Sequence, residues 1–192
     1  MDSGQYSDYN SPITPKEGIC LLAILILLLT IAAMIMDIKT GKVDNRLIFI
    51  SSGAALLFRL VRGGPAGMAA GFVGMAIPFV LLFLLFSLRM LGAGDIKLFC
   101  SLGAFLGPAA ILKCIAVSFL IGALIALSLM LKKGIFKERF RYFFSYLSRL
   151  LTEKTAPPYR CGGLERPENF HFTIPIFISV IMMCALKEVP VF

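Results

Sequence analysis

Residues 18–36 read GICLLAILILLLTIAAMIM, and Asp37 follows at once. These nineteen residues carry no charge, and Thr30 is their one hydroxyl. A helix needs about 20 predominantly apolar residues to cross a bilayer core of about 30 Å, so this run predicts a membrane span. The whole chain of 192 residues agrees: 58% of it is hydrophobic and only 16% charged. Its mean hydropathy is +0.88. A soluble domain is typically about 45–50% apolar and about 25% charged, so the excess points to lipid as the solvent for most of the chain.

Working outward, residues 37–46 (DIKTGKVDNR) form a polar loop with Gly41 as its turn signal. A shorter apolar run, 47–61, ends near Arg59 and Arg62, which can snorkel. Gly63, Gly64, Pro65 and Gly67 mark a turn, and 68–88 is a third apolar run in which Pro78 predicts a kink. Residues 89–95 break the pattern again. The run 96–131 would reach about 54 Å as one helix, too long for a single crossing. Gly107, Pro108 and Lys113 predict that it folds into two antiparallel spans. The last run is 172–186, with Pro175 near its start. The expected fold is therefore all-α: a polytopic bundle of about six transmembrane helices plus a cytoplasmic amphipathic helix.

The formal net charge is +8. The basic residues collect in inter-span segments: Lys39, Lys42 and Arg46; Arg89 and Lys97; and nine between Lys132 and Arg166. In a six-span chain these segments share one face, which the positive-inside rule makes cytoplasmic, with both termini outside. Arg59 and Arg62 run against that bias. No aromatic-plus-basic module supports nucleic-acid binding. Four regions follow: an extracytoplasmic tail (1–17), a membrane core (18–131), a basic cytoplasmic segment (132–171), and the last span with the C-terminus (172–192). The first span reads as retained, since no basic cluster precedes it and no small-residue cleavage signature follows it. Within the basic segment, 134–151 (GIFKERFRYFFSYLSRLL) places Phe and Leu at helical spacing among Lys and Arg. That pattern fits a helix lying on anionic headgroups or one packed on other spans. Cys20, Cys100, Cys114, Cys161 and Cys184 form no C-x-x-C pair and read as small apolar packers, not as a metal or disulfide framework. No metal or organic cofactor is implied.

A carboxylate at the edge of a span is costly enough to need a reason. Asp37 ends the first span and Asp95 precedes the fourth, so in the six-span topology both lie at the same depth on the cytoplasmic face. No H-E-x-x-H or G-x-S-x-G competes with them, and the one histidine, His171, reads as an interfacial polar tip. Paired carboxylates can hydrolyse an amide without a covalent intermediate. One takes a proton from water while the other protonates the carbonyl oxygen, and like-charge repulsion separates their titrations. Asp95 sits in Gly92-Ala93-Gly94-Asp95, where the missing Cβ atoms let a substrate backbone approach. Helix dipoles predict the division of roles. Asp95 at a helix N-terminus is expected to hold the charge, and Asp37 at a helix C-terminus the proton.

The segment GAGDIKLFCSLGAFLG (92–107) closely resembles the GxGD motif region of type IV prepilin peptidases and archaeal preflagellin peptidases. DIKTGKVDN (37–45) is similar to their first catalytic region, in which an aspartate ends a span and an asparagine follows eight positions later. The resemblance covers about residues 18–131, and the run around Pro175 looks like the family's last span. It implies a membrane aspartyl endopeptidase that removes a short basic leader, typically ending in Gly before a hydrophobic helix, from a prepilin-like membrane protein at the cytoplasmic face. By resemblance Asp37 and Asp95 are catalytic, Gly92 and Gly94 shape the approach, and Lys97 and Asn45 are supporting residues. Two departures stand out. Asp44 occupies the place where the family usually has Pro, and the cysteine-rich extension of longer members is absent. The resemblance is thus to a peptidase-only form, of the sort associated with tight-adherence (Flp) pili. Two readings from other classes use the same acids: a proton- or cation-coupled transporter, and a non-catalytic pilus-assembly protein. The transporter would need polar residues deeper within several spans, where this chain has little beyond Ser, Thr and Gly.

Overall fold

The structure, a computed structural model, describes residues 15–41, 43–88, 91–132, 141, 145 and 171–186. Its principal elements are helices: α1 (Pro15–Thr40), α2 (Asn45–Ser87), α3 (Ala93–Leu106), α4 (Pro108–Lys132) and α5 (Thr173–Ala185). The amphipathic stretch 134–151 lies outside the described residues apart from Arg141 and Ser145. So do Cys161 and the first fourteen residues.

Three helices are long and apolar enough to cross a membrane: Cys20–Thr40, Asn45–Ser87 and Pro108–Lys132. Thr173–Ala185 is a shorter apolar helix. Exposed Leu, Ile, Val and Phe cover the outside of the bundle, including Phe49, Val61, Val80 and Leu84. Such a surface is stable only against lipid, because in water it would be one continuous apolar patch.

The 43 residues of α2 would extend about 65 Å as a straight rod. They do not, because Gly64 leaves the helix with φ 60° and ψ −156°. Leu56 and Gly71 would stand about 22 Å apart in a continuous helix. Instead a Cβ placed on Gly71 would lie 3.0 Å from the Leu56 side chain, so the two arms, 45–63 and 65–87, fold back on each other. Glycine makes the reversal possible, since an L side chain at this φ is strained. The expected kink at Pro78 does not break the helix: Gly64 alone has non-helical dihedrals within α2.

The 96–131 run divides as its length requires. Gly107 has φ 77° and separates α3 from α4. Phe99 and Phe119 would be about 30 Å apart on one straight helix. Both rings pack on Phe172, with centroids 6.4 and 5.1 Å away, so α3 and α4 run back alongside each other. The five apolar runs of the sequence thus fall in helices among the described residues, with the 96–131 run divided between α3 and α4.

The core lies where α3 is enclosed. Leu98, Phe99, Leu102, Ala104, Phe105 and Leu106 are buried, together with Leu22 and Ile26 of α1 and Ile176 and Val180 of α5. The second arm of α2 crosses α3 at Gly74 and Gly103, where a Cβ on either residue would collide with the backbone carbonyl of the other. Polar ties are few and buried. Ser118 and Ser179 join α4 to α5 at 2.6 Å, and Ser51 and Ser101 join α2 to α3 at 2.7 Å. Arg59, 3% exposed, donates to the Phe105 carbonyl at 3.2 Å and to the Gly67 carbonyl at 3.4 Å, which ties the Gly64 and Gly107 turns together at one end of the bundle. The other end holds the C-terminus of α1 and the N-termini of α2, α3 and α5.

Candidate active site

Asp37 lies in the last turn of α1. The helix runs three residues beyond it to Thr40, and Gly41, at φ 65°, returns its N–H to the Asp37 carbonyl at 2.7 Å. A left-handed glycine after the last turn is a common helix stop. Lys39 in that turn complements the negative end of the helix.

Asp95 is the third residue of α3, whose N-cap is Gly92. Its carboxylate accepts a hydrogen bond from the Gly92 backbone. This is the backward half of a capping box, in which an acid at the third helical position satisfies an N–H that the helix leaves open. A Cβ on Gly92 would stand 3.1 Å from Asp95 Oδ2, so the glycine keeps the space beside the carboxyl clear. At Gly94 a Cβ would meet only Val43, at an ordinary 3.7 Å, so nothing within the chain requires glycine there.

The two carboxyls influence each other. Asp95 belongs to the polar break ahead of the apolar run of α3, and its pKa is pushed up to about 7. Burial is the larger cause and the Asp37 charge the next, against opposing contributions from the Gly92 hydrogen bond and from His171. This runs against the division of roles expected from helix dipoles: Asp95 holds its proton up to about pH 7. The dipole contribution is typically about 0.3–1 kcal/mol. Desolvation with a neighbouring charge outweighs it.

Asp37 Oδ2 accepts the Thr173 hydroxyl at 2.7 Å and lies 3.0 Å from His171 Nδ1. A carboxylate can only accept, so Nδ1 carries the hydrogen. The side chains of His171 and Asp37 are 19% and 15% exposed, half-sheltered at the end of the bundle. His171 is therefore more than the interfacial polar tip its sequence context suggests. It and Thr173 are separated from Asp37 by more than 130 positions, and no local pattern announces the contact. The signal that existed was their place at the start of the last apolar run, on the same face as Asp37 in the six-span topology.

Lys97 and Asn45 pair with each other: Lys97 Nζ donates to Asn45 Oδ1 at 2.8 Å, joining the start of α2 to α3. Both line a groove of about 780 Å³ between the two arms of α2 and α3, walled by Phe49, Phe72, Phe79 and Phe83. At 3.6 residues per turn, Lys97 projects about 160° around α3 from Asp95. This groove is thus on the far side of α3 from Asp95, and Lys97 turns toward Asn45 instead. Asp44 is the N-cap of α2, with Oδ1 accepting the Arg46 N–H at 2.9 Å. The residue that departs from the family pattern thus has a structural role of its own. Among the described residues, no cluster of three or more His, Cys, Asp or Glu could hold a metal ion.

Two carboxyls from separate helices meet at one end of a membrane bundle, one with its pKa raised to about 7 and the other held by hydrogen-bond donors. A sequence model of the type IV leader peptidase family matches residues 23–127, which includes both. The chain belongs to the type IV leader peptidase family. It is a leader-peptidase-like protease of the membrane, and the family implies prepilin-like substrates. Comparison with curated proteins and with solved structures gave no match. The matched span ends before α5, which carries Thr173, and before His171.

Proposed function

We propose that this peptidase is an aspartyl endopeptidase that uses Asp37 and Asp95 to remove the leader of a prepilin-like, Flp or tight-adherence-type precursor at the cytoplasmic face of the cell membrane. The observation that carries the reading is the half-buried Asp95 carboxyl, its pKa raised to about 7 by desolvation and by the Asp37 charge. Asp37 takes a proton from water as the water oxygen attacks the scissile carbonyl carbon. Asp95 gives its proton to the carbonyl oxygen. When the tetrahedral intermediate collapses, the C–N bond breaks, the leaving nitrogen takes the proton held by Asp37, and Asp95 takes back the hydroxyl proton as the carbonyl re-forms. Unequal proton affinities are what such a pair needs to supply an acid and a base at one pH.

The depth of the acids also favours hydrolysis over ion transport. Within the described residues the buried polar side chains are Thr30, Arg59, Ser101, Ser118, Thr173 and Ser179, with no carboxylate deeper in the bundle to continue a relay. Gly92 leaves room beside Asp95 for an extended backbone. Lys97 and Asn45 support the site from behind by fixing the start of α2 against α3.

Co-expression with a prepilin carrying its leader tests the pair. Asp37→Asn and Asp95→Asn should each abolish cleavage while the protein accumulates in the membrane. Near-normal processing by either variant overturns the assignment.

A further inference from the structure

We propose that His171 and Thr173 are positioning residues that fix Asp37 as the base of the carboxyl pair, and this rests on the aspartyl reading above. Both donors end on the same oxygen. Thr173 Oγ1 donates to Asp37 Oδ2 at 2.7 Å, and His171 Nδ1 stands 3.0 Å from that atom. Both contacts hold Oδ2, and Oδ1 is the oxygen we assign to take the proton from water.

The two donors come from one rigid support. Phe172, between them in sequence, packs its ring on Phe99 of α3 and Phe119 of α4. The same ring fills the space that a Cβ on Gly122 would need, at 2.8 Å. Thr173 opens α5, whose N-cap Phe172 supplies no side-chain bond of its own. The positive end of α5 therefore faces Asp37 and opposes the negative end of α1 to which Asp37 belongs. Hydrogen bonds to the charged form of a carboxyl favour that form. A negative charge held at Asp37 in turn discourages a second one at Asp95. The three contributions act in one direction. The charged and titratable groups converging here among the described residues are Asp37 of α1, Asp95 of α3 and His171 itself.

The test uses the full chain in detergent or nanodiscs with a leader-bearing prepilin substrate. Thr173→Val keeps the shape and removes the donor, while Thr173→Ser restores it. His171→Phe keeps a ring without Nδ1, while His171→Asn places an amide N–H near the position of Nδ1. Loss of one hydrogen bond to a charged group should lower kcat about 10- to 100-fold. KM should stay within a few-fold, and the acid limb of the kcat/KM profile should move to higher pH. Thr173→Ser and His171→Asn should recover most of the rate. Variants that only reduce the melting temperature or the fraction of active protein, with the acid limb unmoved, overturn the proposal. So does a wild-type rate in Thr173→Val and His171→Phe when Asp37→Asn is inactive. Cleavage by Asp37→Asn instead defeats the aspartyl reading itself, which separates the two failures.

Discussion

Asp95 has its pKa raised to about 7, so the folded chain keeps a proton that the unfolded chain releases near pH 4. The consequence for stability follows from proton counting. Between about pH 4 and 7 the unfolded state binds fewer protons than the folded one, so stability falls as pH rises and levels off above about 7. Thermal melts in detergent at pH 5 and pH 8 should show the higher midpoint at pH 5, and Asp95→Asn should reduce the difference. The same titration sets activity. The kcat/KM profile should fall on its alkaline side through about pH 7, as Asp95 loses the proton it donates; a flat profile from pH 6 to 9 would remove Asp95 as the acid. Asp44 is a different kind of acid. Asn caps a helix about as well as Asp, whereas Ala costs about 1 kcal/mol. Asp44→Asn should therefore keep most activity and stability, and Asp44→Ala should lower the melting temperature with cleavage chemistry intact. Equal and complete loss of cleavage in both would move the first catalytic aspartate to position 44.

The second arm of α2 and α3 meet backbone to backbone at Gly74 and Gly103. Small residues let helices in lipid approach closely enough for dispersion to hold them, because lipid tails offer no hydrophobic driving force. A side chain at either position has a carbonyl, not a flexible side chain, in its way. Gly103→Val and Gly74→Val should each destabilise by about 1–3 kcal/mol or more, with the loss read as a lower melting midpoint in detergent. Gly53→Ala is the control, since a Cβ there meets nothing within 4 Å and the midpoint should hold. An unchanged midpoint in Gly103→Val would mean that the two helices stand farther apart. Because α3 carries Asp95, a shift of this contact should also reduce cleavage, although Gly103 lies about two turns from the acid.

At the scale of the whole molecule, Asp37, Asp95, His171 and Thr173 stand at one end of the bundle, and the Gly64 and Gly107 turns held by Arg59 stand at the other. We propose six crossings with the aspartates inside the cell, on the positive-inside rule applied to the basic loops at the first end. In a cysteine-free background, Thr40→Cys should react only with permeant thiol reagents in intact cells. Ala66→Cys, exposed beside the Gly64 turn, should react with impermeant ones. The reverse pattern would invert the topology and place the active site outside.

The sequence by itself determined the solvent and the segmentation. Hydropathy integrates over some twenty residues, so the apolar runs and the polar breaks between them survive any detail of packing. Glycine at 64 and 107 located the reversals because few other residues adopt a positive φ without strain. It also singled out Asp37 and Asp95, as charges at the ends of apolar runs with no rival chemistry. The tertiary structure decided what surrounds each acid. The dipole argument considered each aspartate on its own helix. Burial of Asp95 and the arrival of His171 and Thr173 at Asp37 depend on which helices become neighbours. It likewise turned Lys97 to Asn45. Desolvation and hydrogen bonding act over a few ångströms in space, so contacts between residues more than 130 positions apart leave no trace in local periodicity. That is why the participants were legible in the sequence, while their surroundings were settled only when α5 packed against α1, α3 and α4.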